Sequence, residues 1–265
     1  MRCTANDGGP SRSRSARLVT VSFYITMKRI TKTIIMAASL ALCFELCAEK
    51  AKPFIFTPSN GTGPFPVALW LHGYRGYSPD GYFPGESASA MQKHADTLGA
   101  VIIGFPATTD LGDNTQQWSE EPVADHAYIQ LKLSEIGKTI KLDLSRVALF
   151  GFSQGAIVAA DLATQYPESY MGAILMSPGG MGRPKAAEVR RPAHKKQVYF
   201  CFCGEDESPG NVALTKAYAK HLETVLGAKV TLKLYSGVAK HTRPPDFMEK
   251  FPDWMAAILK LDEKH

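Results

Sequence analysis

Arg146-Val147-Ala148-Leu149-Phe150-Gly151-Phe152-Ser153-Gln154-Gly155-Ala156 reads as a short apolar strand, a Gly-x-Ser-x-Gly turn and the start of a small-residue helix. Ala156, Ala159, Ala160 and Ala163 continue that helix. Strand, turn and helix in this order are the setting of a nucleophile elbow. The turn is tight, so a Cβ two residues before or after the serine would collide with the backbone there, and glycine removes the obstacle. Ser153 is thereby expected above the end of a strand, with the N–H of Gln154 pointing into the same space from a helix N-terminus.

On either side of this stretch, uninterrupted apolar runs alternate with segments of helical periodicity. Pro66 to Leu71, Ala100 to Pro106, Ala173 to Met176, Val198 to Phe202 and Val230 to Tyr235 read as strands. Pro66 to Leu71 and Ala100 to Pro106 lack the in–out alternation of a half-exposed sheet and fit strands buried on both faces. Glu86 to Leu98, Val123 to Thr139, Val212 to Leu226 and Asp246 to Leu259 read as helices. The alternation predicts the α/β class, with a mostly parallel sheet and helices on both faces. Ala107 to Pro122 reads as a polar rim loop carrying Trp118. Tyr74, Tyr77, Tyr82 and Phe83 are expected with it near the mouth of the site.

A serine needs a base, and the base needs an orienting acid. In a sheet of this kind the chain order is serine, acid, histidine. Among seven histidines, His241 stands in a strand-to-helix connection downstream of the acidic loop. That loop, Cys203-Gly204-Glu205-Asp206-Glu207-Ser208, offers three carboxylates. Residue type favours Asp206, which is the preferred acid; spacing from Gly204 keeps Glu207 as the alternative, and Glu205 reads as a solvated neighbour. Two N–H donors must face the developing oxyanion. Gln154 supplies one, and Tyr74, in the His72-Gly73-Tyr74 loop after the first long strand, supplies the other. His72 is expected to brace that loop.

Leu71-His72-Gly73, the Gly151-Phe152-Ser153-Gln154-Gly155 elbow, the acidic loop and His241 together resemble the α/β-hydrolase superfamily. Within it the chain is similar to the phospholipase/carboxylesterase branch, which includes the acyl-protein thioesterases. The likeness spans roughly residues 65 to 260. It implies an α/β-hydrolase fold and cofactor-free hydrolysis of carboxylic esters or thioesters through an acyl-enzyme. The nucleophile then maps onto Ser153, the base onto His241 and the oxyanion donors onto Tyr74 and Gln154. The chain departs from the pattern in the short region before Val67 and in the acidic loop, which lacks a spaced Asp followed by Val-Pro. Acyl transfer or peptide cleavage on the same triad, and a noncatalytic binding protein on the same fold, are the alternatives.

Composition narrows the partners. The chain has 265 residues, 45% hydrophobic and 21% charged, an ordinary globular balance. Its net charge of +5 is concentrated in residues 1–48, which hold seven of the 30 basic and two of the 25 acidic residues; 23 of each remain beyond. A near-neutral body argues against nucleic acid as a partner. An ester from a small molecule or a polymer is the expected substrate, with no metal and no cofactor. The basic run between 179 and 197 reads as a solvated connection. Met27-Lys28-Arg29 followed by the apolar run Thr33 to Phe44 and by Cys47-Ala48 resembles a secretory signal peptide cut after Ala48. The expected organisation is a translated extension at 1–26, a signal peptide at 27–48 and one α/β domain at 49–265. The product would be secreted or periplasmic, without a stable membrane span. Cys201 and Cys203 are expected as buried core thiols.

Overall fold

The apolar run Val147 to Phe150 lies at the centre of a seven-stranded sheet, each of its side chains no more than 2% exposed. The computed structural model describes residues 53–76, 88–112, 115–119, 121–178 and 196–261. Residues 1–48 lie outside the described residues, as do Tyr77, Tyr82, Phe83 and the basic segment 179–195.

The elements in chain order are β1 (Phe54–Phe56), β2 (Phe65–Leu71), α1 (Ala88–Leu98), β3 (Val101–Gly104), β4 (Thr109–Asp110), β5 (Gln116–Gln117), α2 (Pro122–Ile136), β6 (Leu142–Phe152), α3 (Gln154–Gln165), β7 (Gly172–Met176), β8 (Val198–Gly204), α4 (Pro209–His221), β9 (Lys229–Tyr235) and α5 (Phe247–Leu259). The large sheet has the order β1-β3-β2-β6-β7-β8-β9. Every adjacent pair is parallel except β1 with β3. β4 and β5 make a separate antiparallel ribbon. Among the described residues, the three of β1 are all that precede β2 in the sheet, in keeping with the short region before Val67.

Alternate residues of the buried strands serve two cores. Ala68, Trp70, Ala148, Phe150, Ile174, Met176 and Phe202 face α1 and α5, where they meet Met91, Phe251, Met255 and Ile258. Phe150 and Phe251 have ring centroids 4.8 Å apart, and Phe202 and Trp254 4.3 Å. Side chains of this size contribute about 1.5–3 kcal/mol each when fully buried. On the other face α3 lies across β2, β6 and β7, with α2 packed on it, and α4 covers β8 and β9.

Two local differences from the sequence reading bear on the site. α4 begins at Pro209 rather than Val212, because Ser208 caps it and proline suits the first helical position. Asn211 is thereby brought onto the first turn. The segment after Ala107 holds the β4–β5 ribbon, and Trp118 is 1% exposed, so it is a core residue and not a rim aromatic.

Candidate active site

β6 delivers Ser153 to the head of α3 with φ 55° and ψ −122°. A side chain in that region of backbone space costs about 1–3 kcal/mol, so the surroundings must hold it there. They do so by close packing. A Cβ on Gly155 would lie 2.0 Å from the Leu71 carbonyl oxygen, and one on Gly151 would lie 2.3 Å from that of Gly155. The Ser153 N–H donates to the Met176 carbonyl at 3.0 Å, tying the turn to the end of β7. Gly73, just past β2, comes so close that its own Cβ would stand 3.2 Å from the Ser153 Cβ.

The loop after β2 is braced as expected of His72. That ring is 1% exposed. Its Nε2 accepts from the Ala107 N–H at 3.1 Å, so Nδ1 carries the proton and donates to the Gly73 carbonyl at 2.7 Å. Burial drives the His72 pKa down to about 4, against a smaller upward pull from the Gly73 carbonyl. Tyr74 is 53% exposed, and Gln154 is the first residue of α3.

His72 makes folding pH-dependent with a definite sign. Between its native value near 4 and the ordinary 6.5, the unfolded chain binds the proton and the native ring does not. Stability from this residue is therefore complete above pH 6.5 and falls toward pH 4, by roughly 3 kcal/mol in all. Urea midpoints taken from pH 7 to pH 4.5 are expected to fall more steeply in the wild type than in His72→Asn. Parallel slopes would contradict it.

At the other side of the elbow, β8 ends in Cys203 and Gly204, and the chain turns with the Glu207 N–H on the Gly204 carbonyl at 3.4 Å. The turn carries the Glu207 side chain back under the strand ends, where it is 2% exposed. One carboxylate oxygen accepts from His241 Nδ1 and from Asn211 Nδ2, the latter at 2.6 Å. The other accepts from Ser177 Oγ at 2.9 Å, Cys203 Sγ at 3.3 Å and the Gly204 N–H at 3.4 Å. Burial pushes the carboxyl pKa up, and the bonds from His241, Asn211, Ser177 and Cys203 outweigh it, holding Glu207 below the ordinary carboxylate range. The Cys203 thiol is pushed up to about 11 by burial and by Glu207, so it stays protonated and donates.

His241 lies between β9 and α5, its ring centroid 4.7 Å from that of Phe152, the residue before the serine. With Nδ1–H engaged by Glu207, Nε2 is left as the basic nitrogen.

The preference for Asp206 by residue type is not met by this geometry. Asp206 accepts from the Gly237 N–H at 3.0 Å and donates its own N–H to the Val238 carbonyl at 3.2 Å, fastening its loop to the next. It is one residue short of the position that turns inward. Glu205 pairs with Ser236 Oγ nearby. Sequence reading missed Ser177 and Asn211. The first sits just past a buried strand, and the second could have been placed by the Ser208-Pro209 helix start. Cys203 is a buried thiol as expected, and it also donates to the Glu207 carboxylate.

Among the described residues, no group of three or more His, Cys, Asp or Glu comes together as a metal ion would require. No helix among them is long and apolar enough to cross a membrane.

Residues 110–259, more than half of the chain, match the phospholipase/carboxylesterase family. The chain belongs to that family. This family member is also 28% identical over 134 residues to NocK of Nocardia uniformis subsp. tsuyamanensis, described as an esterase. The match covers 47% of this chain and 36% of NocK, so it spans about a third of that relative's length. Among solved structures it resembles a Bacillus cereus carboxylesterase, with TM-score 0.55 and 21% identity over 82% of this chain and 98% of the other. Esterase PE8 gives 0.59 at 18% identity, covering 79% and 100%. Acyl-protein thioesterase 2 of Zea mays gives 0.54 at 18%, covering 79% and 99%. At such identities the likenesses establish the α/β-hydrolase fold, to which this family member belongs.

Proposed function

We propose that the chain is a carboxylic ester hydrolase acting through an acyl-enzyme on Ser153, with His241 as base and Glu207 as the orienting acid. One observation carries this reading: His241 Nδ1 is bonded to a buried, ionised glutamate while its ring lies against the residue next to the elbow serine.

In the proposed reaction, Nε2 of His241 takes the Ser153 proton as Oγ attacks the ester carbonyl. Glu207 stabilises the imidazolium and keeps the ring in the tautomer that leaves Nε2 free. Backbone N–H groups of Gln154 and Tyr74 receive the oxyanion. His241 then returns the proton to the departing alcohol, and a water molecule repeats the sequence to release the acid. A thioester would follow the same route, with a thiol as leaving group.

Incubation with a fluorophosphonate, followed by mapping of the adduct by mass spectrometry, tests the reading. One phosphonyl group on Ser153, lost in His241→Ala, is the expected result. No adduct on the folded chain would leave a binding protein on a hydrolase fold. Turnover of amides above esters, or acyl delivery to an acceptor other than water, would move the activity to peptidase or transferase. We also propose that residues 27–48 act as an export signal, making the protein secreted or periplasmic. The leader's charge and apolar pattern support this, and N-terminal sequencing of exported material beginning at Glu49 is the expected outcome.

A further inference from the structure

We propose that Trp118 is a positioning residue that holds the two halves of the oxyanion hole at a fixed separation. The inference rests on the esterase reading above, since it concerns the donors that reading assigns. Those donors come from different parts of the chain: the loop after β2 and the first residue of α3. Trp118 bonds to both. Its indole Nε1–H donates to the His72 carbonyl at 3.0 Å, and its backbone N–H donates to the Gln154 side-chain oxygen at 3.2 Å. The His72 carbonyl belongs to the peptide that leads into Gly73, so this bond sets the plane of the chain one peptide before the Tyr74 N–H.

The neighbouring ribbon adds a third tie, because the Gln116 carbonyl accepts from the Arg75 N–H at 3.1 Å. Arg75 has φ 55°, and its loop conformation is thus held from outside. The ribbon is itself anchored. Buried Asp125 of α2 accepts from Ser119 N–H at 3.2 Å, Ser119 Oγ at 2.9 Å and Thr108 Oγ1 at 3.2 Å. The His72 and Trp118 rings pack with centroids 5.5 Å apart. Trp118 therefore joins the loop after β2, through its side chain, to the α3 head, through its backbone N–H, and the ribbon beside it holds the same loop at Arg75.

Such a residue acts on the transition state through geometry. An oxyanion donor displaced by a fraction of an ångström still permits substrate to bind and stabilises the tetrahedral species less. Trp118→Phe keeps an aromatic ring and the backbone N–H and removes the indole donor together with the pyrrole half of the side chain. With a p-nitrophenyl ester, kcat is expected to fall about 10- to 100-fold while KM stays within about threefold. Affinity for an alkyl trifluoromethyl ketone, which forms a tetrahedral adduct on the serine, falls with kcat. Affinity for the product acid does not.

A folded Trp118→Phe with kcat within twofold of wild type overturns the proposal. Equal weakening of the ketone and the product acid, the mark of general distortion, overturns it as well. Should that variant fail to fold, Gln154→Leu keeps the α3 backbone N–H and removes the acceptor of the Trp118 N–H. The same kcat-selective loss is expected there, and an unchanged kcat overturns the inference. The esterase reading fails separately, when the wild type neither labels nor turns over.

Discussion

Ser153→Ala is expected to lower kcat for a chromogenic ester by about four to six orders of magnitude, while the urea midpoint stays close to wild type. The size follows from losing the covalent step, since the remaining donors and binding contacts can only assist direct attack by water. The unchanged midpoint follows from the fold. Alanine leaves intact the Ser153 N–H bond to Met176 and the glycine contacts that shape the turn, and it inherits the same φ of 55°. Ser153→Gly separates strain from chemistry. Glycine relieves about 1–3 kcal/mol of backbone strain and gives back about 0.5–1 kcal/mol through a more flexible unfolded chain. It is therefore expected to be inactive and about 1 kcal/mol more stable than wild type. Turnover by Ser153→Ala at the wild-type rate would end the acyl-enzyme account. A Ser153→Gly variant less stable than wild type would show that the turn is not strained by its side chain.

The elbow was legible because the physics that makes it is written in consecutive residues. An apolar run buried on both faces, two glycines at the contact points and a small-residue helix leave one local solution. The same holds for β2, β3, β7 and β8, whose buried runs carry no polar interruption. The ribbon of β4 and β5, two residues each, has too little chain to show a period. Trp118 was misread for a related reason: an aromatic in a polar segment looks alike whether it seals a core or lines a rim. Its burial and its two hydrogen-bond acceptors, 46 and 36 residues away, distinguish the cases.

The proposed acid lay between these extremes. Asp206 and Glu207 are adjacent in one turn, and the local cues conflicted: residue type pointed to Asp206 and spacing from Gly204 to Glu207. The direction comes from the turn closed on Gly204 and from donors on other elements: Ser177 beyond β7 and Asn211 on α4.

Glu207→Gln is accordingly expected to reduce kcat by about three to four orders of magnitude, and Asp206→Asn by no more than about threefold. The carboxylate of Glu207 accepts from five donors, two on one oxygen and three on the other. A glutamine offers one oxygen and one NH2, so whichever way it faces, an N–H meets groups that can themselves only donate or that hold protons. Facing the amide toward His241 forces the ring into the other tautomer, with the proton on Nε2, and the base is lost. Facing it toward Ser177 keeps an acceptor for His241 but no charge to stabilise the imidazolium. Asp206→Asn, by contrast, keeps an oxygen for the Gly237 N–H and leaves the His241 bond untouched. The two variants form one measurement: kcat at neutral pH, with circular dichroism to establish that each is folded. A large loss in Asp206→Asn together with near-normal turnover in Glu207→Gln would reverse the assignment. Equal, large losses in both would mean that the acid loop acts through its conformation, with neither carboxylate orienting the base alone.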